Sequence, residues 1–375
     1  MSLALREIRR AKLRFGLLSG AIGLLVFLIL FQQTLLGTLL GYFTGALENQ
    51  SGEVIVYGED ARRNIEGSVV TDEQVAAVAA VDGVADSAPL GEGTFTVRAD
   101  GELTDAVLWG YRLGGPGEPT RLAEGRLPES DFEAVSTTID AANGFGIGDE
   151  VLLADGQVTI TVVGLASESR FSVLPVLFTS FDTYLAAASA VNPDAPFIPP
   201  TVVLANPVEG VSAAELAERI TAEVAGVEAL DRATAVDELP GVSAVSQSFN
   251  LILLLAYVVV TLVIGFFFLI ITVQKAQALS LLKAIGASDR TLVGSLLFQV
   301  AVVTLGGIVV GGGLLQLAAF GSSEEFPIEA DPVLVGGTGA VLLVLAGLAA
   351  IGSVRRVVRL RPTDAVNPQA LGGLS

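Results

Sequence analysis

The sequence predicts an α-helical membrane protein with four transmembrane helices and one α+β extracytoplasmic domain. That domain is expected to consist of two β-α-β units with a β-rich subdomain inserted between them. Three observations carry this. Four apolar stretches, at 15–43, 251–273, 292–320 and 333–354, are each long enough to cross a bilayer, which takes about 20 predominantly apolar residues. A mostly polar stretch of about 200 residues separates the first from the second. The basic residues gather at particular ends of these stretches.

Arg6, Arg9, Arg10, Lys12 and Arg14 precede the first stretch. Lys275, Lys283 and Arg290 lie between the second and third, and Arg355, Arg356, Arg359 and Arg361 follow the fourth. Twelve of the 21 basic residues are thus at these three places, with only Glu7, Asp289 and Asp364 as acids beside them. By the positive-inside rule both termini and the 274–291 connection face the cytoplasm, and residues 48–245 face outward. The acid excess behind the chain's net charge of −19 lies in that outer domain, which argues against nucleic acid and anionic lipid as its partners. The apolar run continues through Leu39-Leu40 to Phe43, too long for the core of a cleaved signal. Leu3–Arg14 reads as an amphipathic helix in the inner interface.

Within the outer domain, Val54–Tyr57 reads as a strand. Thr71-Asp72-Glu73-Gln74 is a capping box that opens a helix to Ala80, and a strand follows near Val84–Ala88. The order repeats: a strand at Thr201–Leu204, a second box at Ser212–Glu215 opening a helix to about Val224, and a strand near Val227–Leu230. Residues 93–180 between them alternate as strands do at Thr94–Arg98, Val151–Leu153 and Val158–Val163, with turn signals at Gly114–Gly117 and Asn143-Gly144. Pro-rich Asn192–Pro200 is the return linker.

Composition excludes much chemistry. With no Cys and no His, and Met only at position 1, disulfides, the usual zinc and copper sites, and Ser-His-Asp or Cys-His catalysis are all absent. The carboxylates Asp140, Asp149 and Glu150 show no acid/base pairing and are expected to be solvated. There is no Gly-x-x-x-x-Gly-Lys-[Ser/Thr] loop, so ATP energy would have to come from another subunit. No Asp, Glu, Lys or Arg lies well inside a span, which disfavours an ion-coupled carrier. The Ala-, Gly- and Arg-rich, Lys-poor usage is that of a GC-rich bacterial genome.

Four features of the spans and their connections remain. Gln32 and Gln33 in the first span and Phe249 and Asn250 before the second could line a site for an amphiphile, or simply make interhelical hydrogen bonds. Tyr42, Phe43 and Phe249 are expected as interfacial anchors. Gly307 and Gly311 in the third span allow close helix packing. The 274–291 connection is expected to form a short helix outside the membrane, stopped at Gly286, with Ser288 capping the next helix.

At this connection the chain resembles a known family. The run "LLKAIGAS" is similar to the coupling loop of the FtsX-like or MacB-like (type VII) permeases of ABC transporters. The basic tail Arg355–Val366 with its Pro-x-acid-Ala pattern, the start "REIRRAKLRF", the segment "DEQVAAVAAVDGVADSAP" and the one-plus-three arrangement of spans agree with it. The resemblance implies a non-catalytic permease subunit of the bacterial cytoplasmic membrane, with no cofactor in this chain. ATP and Mg would act through a partner ABC ATPase. Leu281, Leu282 and Ile285 would supply the apolar face that meets that ATPase, with Lys283 at the rim and Ala284, Gly286 and Ala287 completing the segment. A second permease copy and membrane lipid are the other implied partners. Leu35–Leu47 and Val242–Leu251 would be stalks carrying motion to the outer domain. Export or extraction of a lipid, peptide or drug is the first function implied, and FtsX-like control of a cell-wall hydrolase or haem export the alternatives. Haem iron would find here only Tyr or carboxylate oxygen.

Overall fold

The chain from Phe15 to Leu47 holds no charged residue, so nothing interrupts the apolar helix that forms there. In the computed structural model α1 runs unbroken over Lys12–Glu48. The structure describes residues 12–195, 197–274, 277–278, 281, 285–286, 288–322 and 331–350. The expected amphipathic helix at Leu3–Arg14 lies mostly outside these, and so does the basic tail. The chain divides into two units, residues 37–247 and residues 1–36 with 248–375. α1 begins in one and ends in the other.

In the 37–247 unit, β1 (Val54–Gly58) leads to α2 (Asp72–Ala80) and then β2 (Val84–Ala99). Six strands and a helix follow: β3 (Glu102–Tyr111), β4 (Leu122–Gly125), β5 (Glu133–Thr137), β6 (Glu150–Leu153), β7 (Val158–Ala166), β8 (Val176–Ser180) and α3 (Phe181–Val191). β9 (Val202–Pro207), α4 (Ala213–Glu223), β10 (Val227–Asp231) and the short α5 (Arg232–Asp237) complete it.

β10, β1, β9 and the first half of β2 lie side by side in that order, each antiparallel to its neighbour. Alternation along β1 sends Val54 and Val56 to one face, where Val78 of α2 and Leu216 and Ile220 of α4 cover them. It sends Ile55 and Tyr57 to the other, into a core with Leu90, Trp109 and Phe171. The two covering helices start as their sequences require. Thr71 Oγ1 accepts from the Gln74 amide while Gln74 Oε1 accepts from the Thr71 amide. At Ser212 only half of the expected box forms. The hydroxyl accepts from the Glu215 amide, but the Glu215 carboxylate turns to Arg219 one turn on.

β2 is the largest departure from expectation. In place of two short strands it is one strand of 16 residues. Its first half pairs with β9, and from Gly91 on it pairs with β3. The second half opens a closed ring of strands, β2-β3-β8-β5-β7-β6 and back to β2, with β4 attached to β7. Val97, Leu108, Val151, Ile160 and Leu177 fill this barrel. Gly91 and Gly110 face each other across the β2–β3 ladder. A Cβ at Gly91 would lie 2.2 Å from the Tyr184 ring and one at Gly110 2.4 Å from Tyr184 Cβ, so the paired glycines are a seat for that side chain. Tyr184 belongs to α3, a helix not expected from the sequence, which is capped by Ser180 Oγ on the Thr183 amide at 3.1 Å.

Two further expectations are corrected. Asp140 is not solvated: it is buried, in the turn Thr138–Asn143 after β5, and is ion-paired with Arg170. Of its companions, Asp149 accepts from the Gly146 amide at 2.8 Å, and Glu150 is exposed. Tyr42 is buried in this unit and Phe43 packs against its core, so neither is a lipid-interface anchor. The Arg170 guanidinium lies over the Tyr42 ring, 4.9 Å from its centre.

The other unit holds the first part of α1 with most of α6 (Val242–Gln274), α7 (Asp289–Phe320) and α8 (Pro332–Ala349). All four helices are long and apolar enough to cross a membrane. α7 starts at a Ser288 cap on the Thr291 amide. α8 starts at Asp331 on the Val333 amide with Pro332 at its first position.

Glu92 lies where β2 passes from sheet to barrel, opposite Trp109. It is buried, and its carboxylate oxygens have no hydrogen-bond partner among the described residues. Burial, reinforced by Glu66, pushes its pKa up to about 8. The folded protein therefore holds a proton that the unfolded chain releases near the ordinary value of 4.5. Between these values the unfolded state binds fewer protons, so stability falls as pH rises. Glu92→Gln should raise the melting temperature more at about pH 8 than at about pH 5. An equal change at both would mean that Glu92 is not protonated in the fold.

Candidate functional site

In lipid, helices gain little by burying apolar surface against each other and depend on close contact. α1 and α7 achieve it through glycine. A Cβ at Gly307 would lie 2.5 Å from Ile22 Cγ2, one at Gly311 2.7 Å from Val26 Cγ1, and one at Gly23 2.5 Å from Val310 Cγ1. Ser19 Oγ donates to Val303 O at 3.3 Å on the same seam. The four-residue spacing of Gly307 and Gly311 places both on one face of α7.

The four residues considered for an amphiphile are not gathered into one site. Gln32 Nε2 donates to Phe249 O of α6 at 3.0 Å. Gln33 Oε1 accepts from Thr338 Oγ1 of α8 at 2.8 Å. Both glutamines therefore tie α1 to neighbouring helices. Phe249 is half-buried and contributes its carbonyl to this tie, and Asn250 is exposed. A shallow apolar groove lies elsewhere, along α1 and α7 by Gly16, Gly20, Leu24, Val310 and Leu314. The sequence signal for it, glycine at four-residue spacing in α1, was available but was not singled out. At the start of α1, Arg14 Nη2 donates to Gln274 Oε1 at 2.7 Å, joining the starting turn of α1 to the last turn of α6.

Between α6 and α7, Ile285 donates its amide to Leu281 O at 3.1 Å, closing one helical turn. Leu281 and Ile285 lie on one side of that turn, 59% and 75% exposed. Gly286 follows at φ +100, the left-handed position that ends a helix and suits glycine. Leu282, Lys283, Ala284 and Ala287 lie outside the described residues.

Four apolar helices, a sheet-and-barrel unit between the first two, and an exposed apolar turn between the second and third define a polytopic membrane protein. Residues 250–362 match the FtsX-like permease C-terminal family. Over 290 residues the chain is 27% identical to an uncharacterized ABC transporter permease of Mycobacterium tuberculosis, covering 76% of this chain and 75% of that protein. Over 369 residues it is 21% identical to HrtB of Staphylococcus haemolyticus, described as a hemin transport system permease, covering 98% and 99%. Among solved structures, the periplasmic region of MacB from Actinobacillus actinomycetemcomitans superposes with a TM-score of 0.36 at 13% identity, over 49% of this chain and 90% of that one. Residues 250–362 are thus those of an FtsX-like permease, and over most of its length the chain is similar to ABC-transporter permeases.

If the α1–α7 seam holds these helices together, Gly311→Leu should lower thermal stability in detergent, by about 1–3 kcal/mol as overpacking does. Gly313→Leu, where a side chain meets nothing within 4 Å, should leave it unchanged. Equal effects at the two positions would remove the seam.

Proposed function

We propose that this chain is the membrane subunit of an ATP-driven exporter, and that a separate ABC ATPase docks on the segment Leu281–Ala287. The observation that carries this is the exposed pair Leu281 and Ile285 on a single turn halted by Gly286. An isolated apolar turn outside the membrane costs solubility unless a partner groove covers it. The distribution of basic residues supports a topology with both termini and this segment in the cytoplasm and residues 48–245 outside. The spans contain no interior ionisable group, so an ion gradient has nothing to act on.

In this reading two copies of the chain pair with two ATPase subunits. ATP binding favours one of two packings of the spans, and α1 and α6 carry the change to the extracytoplasmic unit. The cargo class is an amphiphile such as a lipid, peptide or drug. Hemin is the cargo in the name of the staphylococcal relatives, and it fits this chain poorly. There is no His or Cys, and Tyr42, Tyr57, Tyr111 and Tyr184 are all buried, which leaves Tyr257 and surface carboxylates as axial ligands. Control of a cell-wall hydrolase is the other reading. It predicts a hydrolase bound to the extracytoplasmic unit and no stimulation of ATPase activity by amphiphiles.

Tagged chain isolated from native membranes should bring an ABC ATPase with it, identified by mass spectrometry. Ile285→Asp should reduce that recovery about tenfold or more, as loss of an interface hot spot does, with the melting temperature of the chain unchanged. Recovery of the chain alone would exclude the ATP-driven reading.

A further inference from the structure

The loop between β7 and β8 does more than connect two barrel strands. Its backbone bonds to the backbone of α1 at three points. Ala46 donates to Arg170 O at 2.9 Å, Val173 donates to Tyr42 O at 2.9 Å, and Ser172 donates to Phe43 O at 3.2 Å. Asn49 Nδ2 donates to Glu168 O at 2.6 Å, just past the helix end. At Gly45 the loop lies so close that a Cβ would stand 2.5 Å from Glu168 O. Side chains complete the contact. The Arg170 guanidinium lies 4.9 Å from the centre of the Tyr42 ring. On its other side it pairs with the buried carboxylate of Asp140, Nε donating to Oδ2 at 3.1 Å and Nη2 to Oδ1. Thr137, the last residue of β5, donates to the same carboxylate. Phe171 is buried 5.5 Å from Trp109 and roots the loop in the core.

This arrangement is held against local preference. Glu168, Ser172 and Val173 have φ of 51, 49 and 68, in the left-handed region, where a β-branched residue such as Val173 is least at ease. A helix that merely ended at Glu48 would need a cap at its last turn. It would not need a strained strap bonded to carbonyls of residues 42 and 43, nor a cation fixed between its own aromatic ring and a barrel carboxylate. Strain of this kind persists only where surrounding bonds over-determine the backbone.

We propose that residues 167–174 are a mechanical clasp. It locks the barrel to the last turns of α1 so that a displacement of this helix moves the barrel as one body, and Arg170 is its positioning residue. The use of the clasp by ATP rests on the permease reading above; the clasp itself does not. Arg170 holds the strap because its planar, permanently charged group can serve a ring face and a carboxylate fork at once.

The test is hydrogen exchange followed by mass spectrometry on the full chain in nanodiscs, alone and with its ATPase, with and without ATP. Two variants are compared with the native chain. Arg170→Gln removes the charge. Gly45→Ala leaves Arg170 and Asp140 intact and favours the helix itself, while forcing the strap away. Both should speed exchange in 42–49 and 168–174 together, by about tenfold or more, with β1 and β9 unchanged. With the ATPase bound, ATP hydrolysis should continue in both variants while any ATP-dependent change in barrel exchange is lost. Native exchange rates in both segments of Gly45→Ala would overturn the clasp, and if Arg170→Gln loosens β1 and β9 as well, Gly45→Ala decides. Fast exchange with an undiminished barrel response to ATP would overturn its part in transmission. A native chain that shows the protected clasp but no response to ATPase and ATP would fail the permease reading and leave the clasp standing.

Discussion

Everything in this chain depends on α1 being one uninterrupted helix held closely at more than one level. In the membrane it cannot rely on the hydrophobic effect for its contacts, because lipid tails satisfy apolar side chains as well as a neighbouring helix does. Backbone-level approach through Gly23, Gly307 and Gly311 supplies the contact instead. Gln32 and Gln33 add directional bonds to α6 and α8. A few residues further on the same helix passes into the sheet-and-barrel unit, where Ala46 and Leu47 are wholly buried in the core.

The sheet-and-barrel unit solves a second problem, that of joining two small subdomains without a loose linker. One strand does it. β2 contributes its first half to the sheet and its second to the barrel, so the two share backbone hydrogen bonds rather than side-chain contacts alone. The cost falls at the crossing. Glu92 is buried there with no hydrogen-bond partner for its carboxylate among the described residues, and burial pushes its pKa up to about 8.

Much of this was legible in the sequence, for identifiable reasons. Apolar runs of membrane length tolerate few other readings, and the four helices overlap the runs that hydropathy picks out, α6 starting earlier, at Val242. The Thr71 box is a local signal, and local signals survive. What was not legible depended on partners distant in sequence. Strands are expected near Val84–Ala88 and at Thr94–Arg98, and the Tyr184 ring, contributed from α3, explains Gly91 inside the one continuous strand that forms. Asp140 looked like a surface carboxylate because its cation lies 30 residues away at position 170. Tyr42 looked like an interface anchor because an aromatic at the end of an apolar helix usually is one. Here the strap from Glu168 to Leu174 covers it. Gln32 and Gln33 carried two readings, and the hydrogen bonds they make are those of helix–helix contacts.

Because the chain contains no cysteine, a single spin label can be placed cleanly at Leu103→Cys, an exposed position on the barrel. The most direct test of force transmission is the distance between two such labels in the assembled complex, measured by pulsed electron paramagnetic resonance with and without ATP. The account predicts one distance distribution without nucleotide and a shifted one with ATP, since two copies should be present and their barrels should move with α1. Identical distributions in the two states would contradict it.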